Sequence, residues 1–297
     1  MRFTGNTRMA AGIGEVWRFR EVIKNFVAQD LKVKYRRSAL GFLWSLMNPM
    51  LQMIVLSAVF SLMFHIPNFT LYVLSGIVCW GFFSTSVDAC AVSIIGAESM
   101  LKRQYFPKLV FPLSAVTQNL VTLCLSLTAL LILVGPFVGF RLSPALLILP
   151  LSFACIFAFT LGVGAIAAVI TVHFRDMQHL ITVFLGALFY LTPIIYPLED
   201  KTTVHPPATA ATAADIDASA PTAGRAAVVK GPIPDRYRSY FKANPLFAML
   251  SMFQRPIYDG RFPTVKELAT AVIVAAGALV LGLYVFRRAE DGLIFRL

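Results

Sequence analysis

Apolar residues fill one long stretch near the start of the chain, and the change from polar to apolar there is abrupt. Four cations stand at its foot: Lys32, Lys34, Arg36 and Arg37. A largely apolar run follows over residues 39–64. Because a helix needs roughly 20 apolar residues to cross a bilayer, the run predicts a membrane-spanning helix. Asn48-Pro49 inside it predicts a kink, since proline removes a helix hydrogen bond.

Five further apolar runs predict five more spans. They cover residues 71–95, 111–138, 144–172, 180–198 and 266–286. Lys and Arg are enriched in the cytoplasmic flanks of membrane proteins. Residues 1–40 hold nine Lys and Arg against three Asp and Glu, whereas the loop 65–70 holds none of these. The pattern therefore predicts six spans with both termini in the cytoplasm.

The pattern divides the chain into four parts. Residues 1–38 form a cytoplasmic N-terminus with an amphipathic helix over 14–33, which we expect to lie on the membrane surface. Residues 39–198 hold spans one to five, with a polar cytoplasmic segment at about 97–108. Residues 199–263 form an extracytoplasmic loop, and residues 264–297 form span six and a cytoplasmic tail.

The extracytoplasmic loop has two halves of different composition. Residues 201–231 are rich in Ala, Thr and Pro with few large apolar side chains, so we expect this insert to be disordered. Residues at about 234–258 are amphipathic and too polar to span a membrane. They predict two short helices broken at Asn244-Pro245.

Composition excludes several classes of protein. The chain is 58% hydrophobic and 14% charged, against about 25% charged residues in soluble domains, which indicates an integral membrane protein. The net charge of +11 comes from cations beside the apolar runs, so it indicates contact with anionic lipid and not with nucleic acid. The four cysteines all lie in apolar runs without CxxC spacing, and we expect them to be packing residues.

The sequence shows no motif typical of a nucleotide-binding, metal-binding or catalytic site. No GxxxxGK[ST] loop occurs, so the chain is not expected to hydrolyse ATP in the P-loop manner. Gly162-Val-Gly164-Ala-Ile-Ala resembles a nucleotide-binding motif, but it lies within a span and follows no strand; helix packing through small residues is favoured. The scattered histidines and acids predict no metal site or catalytic triad.

Asp88 is the one charged residue well inside a predicted span. An acid at that depth is a functional candidate by default and could line a wet passage, or it could be a structural acid bonded to a neighbouring helix. Aromatic side chains that could line the same passage are Trp80, Phe83, Phe189, Tyr190 and Tyr196. Belt or lipid-facing positions are the alternative for these aromatics.

Several segments together resemble one family of membrane proteins. These are LKVKYRRSALGFLWSLMNPM, YFPKLVFPLSAV, FRDMQHL, LTPIIYPL and NPLFAMLSMFQRPIYDG, in this order. In that combination the chain resembles the ABC-2 type permeases of polysaccharide exporters, from about residue 17 onward. Such permeases move lipid-linked polysaccharides, such as O-antigen, capsule or teichoic acid, across the bacterial plasma membrane.

The resemblance implies an all-α, type V exporter fold with six transmembrane helices, an N-terminal interface helix and two periplasmic gate helices. It implies a homodimer joined by two copies of a separate ATPase subunit, which would bind ATP and Mg while this chain binds no cofactor. The segment 97–108 would be the coupling helix, and the gate helices would be those at 234–258. The coupling residues implied are Glu98, Lys102, Arg103, Gln104 and Tyr105.

A lipid-linked glycan carries a phosphate or diphosphate, which suggests a role for the cations at residues 32–37. We expect Lys32, Lys34, Arg36 and Arg37 to bind that phosphate at the cytoplasmic leaflet, since Arg pairs with phosphate and Lys adds charge. Ordinary positive-inside placement remains the alternative. Two other functions also remain open: an ABC-2 permease for a drug or small lipid, and a membrane enzyme acting on lipid-linked sugars.

Overall fold

The protein is described by a computed structural model, which covers most of the chain. The described residues are 18–36, 41–63, 68–103, 106–137, 139–140, 142–196, 198, 201–203, 227–229 and 235–293. Arg37, Gln104, Tyr105 and residues 204–226 of the insert lie outside them.

The described chain is helical except for one short ribbon. Its α-helices are α1 (Arg20–Tyr35), α2 (Leu43–Phe60), α3 (Phe69–Gly96), α4 (Glu98–Leu101), α5 (Val110–Leu133), α6 (Leu149–His173), α7 (Met177–Leu191), α8 (Asp235–Lys242), α9 (Pro245–Gln254) and α10 (Val265–Leu293). Two 3₁₀ turns, Gly135–Phe137 and Pro144–Ile148, precede α6, and a π-helical turn, Arg255–Asp259, follows α9.

Five described helices are long and apolar enough to cross a membrane. They are Leu43–Phe60, Phe69–Gly96, Val110–Leu133, Pro144–His173 and Val265–Glu290. The fifth predicted span, 180–198, is only partly helical: it overlaps a shorter apolar helix, Met177–Leu191. It ends early because Thr192 precedes Pro193 and takes an extended backbone conformation, which proline favours in the residue before it.

The insert has more structure at its ends than its composition predicts. Strand β1 (Lys201–Thr203) pairs antiparallel with β2 (Ala227–Val229), with Lys201 opposite Val229. Backbone pairing of this kind does not require large apolar side chains, so a composition poor in such residues did not reveal it. The structure thus describes a short strand at each end of the segment 201–231, and disorder of the segment stays a prediction.

The two short helices predicted in the extracytoplasmic loop are present as α8 and α9. The Asn244 side chain accepts a hydrogen bond from the Leu246 amide at 3.0 Å, and Pro245 occupies the first turn of α9. Asparagine as N-cap followed by proline is a strong helix start. Helix α10 begins with a capping box, in which Glu267 accepts from the Thr264 amide at 2.8 Å and Thr264 accepts from the Glu267 amide at 3.3 Å.

Helix α3 lies at the centre of the bundle and contacts α2, α5, α6, α7 and α9. The most extensive contact is between α6 and α10, where two glycines meet. A Cβ added to Gly162 would overlap the backbone of Ala278, and one added to Gly282 would overlap the backbone of Gly162. Helix packing through small residues is thus confirmed for Gly162.

Helix α1 packs against the start of α5 through aromatic rings. Phe19 and Phe106 have ring centroids 5.9 Å apart, as have Phe26 and Phe111. Its charged residues lie on other faces, so α1 is the amphipathic helix that the sequence predicts. These contacts hold α1 beside the start of α5, and Lys34 near its C-terminal end borders a cavity together with Trp44 and Ser45 at the start of α2.

Candidate functional site

The cations at the end of α1 do not form one cluster. Lys32 and Arg36 lie on one face, four residues apart, and border an open depression together with Asn25 and Gln29. Lys34 lies roughly 200° around the helix from Lys32 and borders a different cavity. Lys32, Lys34 and Arg36 are all exposed, as residues that meet lipid headgroups or water must be.

The predicted coupling segment contains one helical turn, α4, which is shorter than the 97–108 expected. Lys102 donates to Glu98 at 2.5 Å, and both side chains are partly exposed. The Lys102 ammonium holds the pKa of the Glu98 carboxyl below its ordinary value, with a smaller contribution from Arg175. Arg103 is exposed beside them. The turn therefore presents charged groups at the end of α3.

Lys108 connects this segment to the last membrane helix and was missed in the sequence. It is buried, and its ammonium donates to the carbonyl of Glu290 in the last turn of α10. A cation at a helix C-terminus is favourable because the last carbonyls lack partners. In the sequence, the one indication that Lys108 is buried was its position among aromatic and apolar residues.

Asp88 is half-buried in α3 and faces α7. The Thr182 hydroxyl has two acceptors within reach of its one hydrogen, an Asp88 carboxylate oxygen at 3.0 Å and the Gln178 carbonyl at 3.1 Å. The acid is thus hydrogen-bonded to a neighbouring helix, the structural alternative raised above. A role in lining a passage stays a prediction.

The aromatic channel candidates separate into two groups. Trp80 lies 5.7 Å from both Phe83 and Phe189, and Phe189 lies 5.3 Å from Tyr190. Phe83 is buried and serves packing, whereas Tyr190 is 72% exposed. Tyr196 packs instead on Phe241 of α8 at 5.9 Å.

An ion-pair network stabilises the end of the bundle opposite to α4. Arg255 contacts Glu267 at 2.8 Å and Asp259 at 3.2 Å, and all three side chains are three-quarters or more buried. The Ser143 hydroxyl donates to the Gly260 carbonyl at 2.7 Å. The network joins the π-helical turn to α10 and to the start of α6, a link that sequence spacing does not reveal.

At the same end of the bundle as Arg255, a side-chain hydrogen bond joins α3 to the segment after α7. The buried Tyr72 hydroxyl lies 3.3 Å from the Pro193 carbonyl and 3.2 Å from the Tyr196 carbonyl. The Thr192 amide makes the last helical hydrogen bond of α7, to the Leu188 carbonyl. The single hydroxyl hydrogen of Tyr72 can then satisfy either the Pro193 or the Tyr196 carbonyl in the non-helical segment that follows. The non-helical end of the fifth predicted span is fixed in this way.

A groove between α2, α3 and α5 brings polar side chains from three helices together. Its volume is about 400 Å³, and Lys34 and Trp44 border it. Its polar lining comes from two stripes with the spacing i, i+3, i+7: Ser45, Asn48 and Gln52 on α2, and Asn119, Thr122 and Ser126 on α5. Sequence reasoning missed the groove, although these polar residues recur at helical spacing inside apolar runs.

The family model for ABC-2 type transporters matches residues 21–204. The chain belongs to the ABC-2 type transporter family. The matched part of this ABC-2 protein runs from α1 to the first strand of the ribbon, and so includes α4, Asp88 and the groove.

Named relatives extend the similarity to nearly the whole ABC-2 chain. The O-antigen export system permease protein RfbA of Myxococcus xanthus is 31% identical over 266 residues, which is 89% of this chain and 90% of that protein. An O-antigen export system permease of Klebsiella pneumoniae is 33% identical over 195 residues, 64% of this chain and 73% of that protein. The polysialic acid transport protein KpsM of Escherichia coli is 20% identical over 272 residues, 90% of this chain and 92% of that protein.

Proposed function

We propose that this chain is the transmembrane subunit of an ABC exporter that moves a lipid-linked polysaccharide of O-antigen type across the bacterial inner membrane. The observation that carries the proposal is the 31% identity to an O-antigen export permease over about nine-tenths of both chains. Similarity of that extent includes the membrane helices, the cytoplasmic turns and the extracytoplasmic helices together. The sequence motifs quoted above support the same assignment.

The proposed membrane arrangement has six crossings, with α7 and the segment 192–196 forming the fifth. A helix of 15 residues spans about 23 Å at 1.5 Å per residue, and the non-helical segment after it would cover the remaining thickness of a roughly 30 Å hydrocarbon core. Both termini then lie in the cytoplasm. The cations of α1, and Lys102 and Arg103 directly after α4, support this orientation, since both segments would lie at the cytoplasmic surface.

The proposed assembly contains two copies of this chain and two copies of an ATPase subunit, which binds ATP and Mg. Large apolar side chains on α2 and α7 are exposed in the single chain, among them Leu51, Val55, Val183 and Phe184. These faces must meet lipid or the second copy. The charged turn at α4, with Glu98, is the surface we assign to contact with the ATPase.

The Lys32–Arg36 face of α1 is our proposed first contact for the phosphate of the lipid-linked glycan, and Lys34, on another face of the same helix, would receive the phosphate after it. The two cations lie on one helix face beside Asn25 and Gln29, which supply neutral hydrogen-bond donors. Arg36 can donate two parallel hydrogen bonds to one phosphate, which lysine cannot. Helices α8 and α9 would form the gate at the far side of the membrane.

Deletion of the gene in its native bacterium tests the proposed function. The deletion strain should lose surface polysaccharide and accumulate lipid-linked glycan in the inner membrane, and a plasmid copy should restore export. Normal surface polysaccharide in the deletion strain would overturn the proposal. Restored export of a drug or a small lipid, with glycan export unaffected, would favour the permease alternative instead.

A further inference from the structure

The groove between α2, α3 and α5 places neutral polar groups at a depth where hydrocarbon cannot solvate them. Gln52 and Asn119 each lie nine residues past the first residue of their helices, about 14 Å along the axis at 1.5 Å per residue. That distance reaches the middle of a hydrocarbon core about 30 Å thick. Polar groups at this depth need hydrogen-bond partners, because each unmet amide costs free energy in an apolar medium.

The three amide side chains of the groove find no such partner in the part of the chain that the structure describes. Asn48, Gln52 and Asn119 form no side-chain hydrogen bond with any residue that the structure describes. Thr122, by contrast, donates to the Gln118 carbonyl at 3.1 Å, and its oxygen can still accept. The unpaired amides point to an occupant that offers both donors and acceptors.

The wall of the groove also leaves space on the side of α3. Gly81 lines it, and a Cβ added there would meet no atom within 4 Å. A volume of about 400 Å³ lies within the range of small-molecule sites. The groove is therefore a cavity with room for a ligand and not a seam between packed helices.

The order of groups along the groove indicates the chemistry of the ligand. Lys34 supplies positive charge at the end next to α1, and Trp44 presents a half-exposed indole near it. The described lining beyond them consists of uncharged amides, hydroxyls and apolar side chains. A cation followed by neutral donors and acceptors matches a phosphate followed by a hydroxylated group.

We infer that this groove binds the sugar residues next to the phosphate of the lipid-linked glycan, with the phosphate beside Lys34. The inference rests on the proposed export function, and it assigns sugar recognition to residues that neither the basic segment nor the aromatic candidates include. Sugar hydroxyls both donate and accept hydrogen bonds, as the amides of Asn48, Gln52 and Asn119 require. Recognition at this site would let the permease distinguish a loaded lipid carrier from an empty one.

The test measures binding of two probes to the purified full-length chain in lipid nanodiscs. One probe is a short-chain polyprenyl diphosphate that bears a disaccharide, and the other is the same lipid diphosphate without sugar. The wild-type chain should bind the sugar-bearing probe more tightly. Asn119→Leu should weaken its binding about tenfold, the effect of one or two lost hydrogen bonds, and leave the affinity for the bare lipid unchanged.

Two further variants separate the parts of the groove. Gly81→Leu should fill the open space and weaken binding of the sugar-bearing probe alone, and Gly81→Ala serves if the leucine variant is unstable. Lys34→Gln should weaken binding of both probes, because both carry the diphosphate. Gln118→Leu is the matched control, since Gln118 precedes Asn119 on α5 and does not line the groove.

Three results would overturn the inference. The first is equal affinity of the wild-type chain for the two probes, which would indicate a groove that holds water only. The second is an equal loss of affinity for both probes in Asn119→Leu, and the third is an equal change in affinity for the sugar-bearing probe in Asn119→Leu and Gln118→Leu. The deletion strain keeps this outcome separate from the proposed function. Export that depends on the chain without sugar-selective binding rejects the groove alone, whereas sugar-selective binding without an export defect rejects the export function alone.

Discussion

The crossing of α6 with α10 and the groove beside α2 are two helix contacts in one membrane protein, built from opposite kinds of residue. At the crossing, Gly162 and Gly282 bring two backbones together so closely that a Cβ on either would overlap the other helix. At the groove, Asn48 and Asn119 face a cavity of about 400 Å³. The glycine crossing leaves no space between its two helices, whereas the groove leaves a cavity lined partly by polar side chains.

The difference follows from what drives association in a bilayer. Lipid tails are as apolar as leucine, so membrane helices gain stability from close van der Waals contact, which small residues permit. Amides in hydrocarbon lower the free energy only when they find hydrogen-bond partners. The crossing therefore stabilises the fold. The groove contributes less to stability, because its amides lack partners in the described protein, but the same amides can bind a ligand.

Gly282→Leu should cause the largest loss of stability. Its side chain would overlap the backbone of Gly162, so α6 and α10 must separate, at a cost of about 3 kcal/mol or more, the upper end of overpacking penalties. The thermal midpoint of the detergent-solubilised protein measures the effect. Gly277→Leu is the control on the same helix, because a Cβ at Gly277 meets no atom within 4 Å. Equal midpoints for the two variants would show that the crossing is not a stabilising contact.

Arg255→Gln should destabilise by a smaller amount, about 1–3 kcal/mol, because Asp259 and Glu267 would lose their cation while partly buried. The thermal midpoint should fall, and protease should cleave the π-helical turn faster. Arg261→Gln, at an exposed arginine nearby, should change neither quantity. Matching losses in the two variants would mean that general charge, and not the network, holds this end together.

Lys102→Glu should leave the thermal midpoint close to that of the wild-type protein, since exposed ion pairs contribute little to stability. It should lower stimulation of the partner ATPase several-fold, whereas Lys266→Glu at the other end of the bundle should not. The pKa of Glu98 is lowered by Lys102, so the pair is ionised above the ordinary carboxyl value of about 4.3 and is lost only as the pH falls below it. Stimulation should therefore not change between about pH 6 and 8 on account of this pair; unaltered stimulation in Lys102→Glu would remove α4 from the docking surface.

Gln52→Leu should have the smallest effect on stability, within about 0.5 kcal/mol or slightly stabilising, because Gln52 has no hydrogen bond to a described residue. The neighbouring change Leu51→Gln should cost more, because it would place an amide on the exposed apolar face of α2. Thermal midpoints in the same lipid compare the two directly. A loss in Gln52→Leu as large as that in Arg255→Gln would make the groove amides structural and erase the contrast with the glycine crossing.

Local pattern was enough for much of the fold. The apolar runs predict α2, α3, α5, α6 and α10 because a bilayer imposes a minimum length on any helix that crosses it. Asn244-Pro245 predicts the break between α8 and α9, because capping depends on residues adjacent in sequence. The helix-packing interpretation of Gly162 also came from its place inside an apolar run.

The candidate site could be predicted only in part. The cations at residues 32–37 were found by composition, but helical geometry sends Lys34 to a different cavity from Lys32 and Arg36. The α7 prediction extended too far, because an apolar run does not reveal where a backbone leaves helical conformation. Paired ends of the insert were hidden because a strand of three residues carries almost no side-chain signal.

The sequence by itself determined that this is a membrane protein, where most of its helices lie, and which family it resembles, since hydropathy, charge and capping act over neighbouring residues. Only the tertiary structure decided which helix meets Gly162, that Arg255 bonds Glu267, and that two polar stripes on α2 and α5 enclose a groove. These features join residues far apart in the chain. Their positions follow from how whole helices cross, which depends on side-chain packing throughout the bundle.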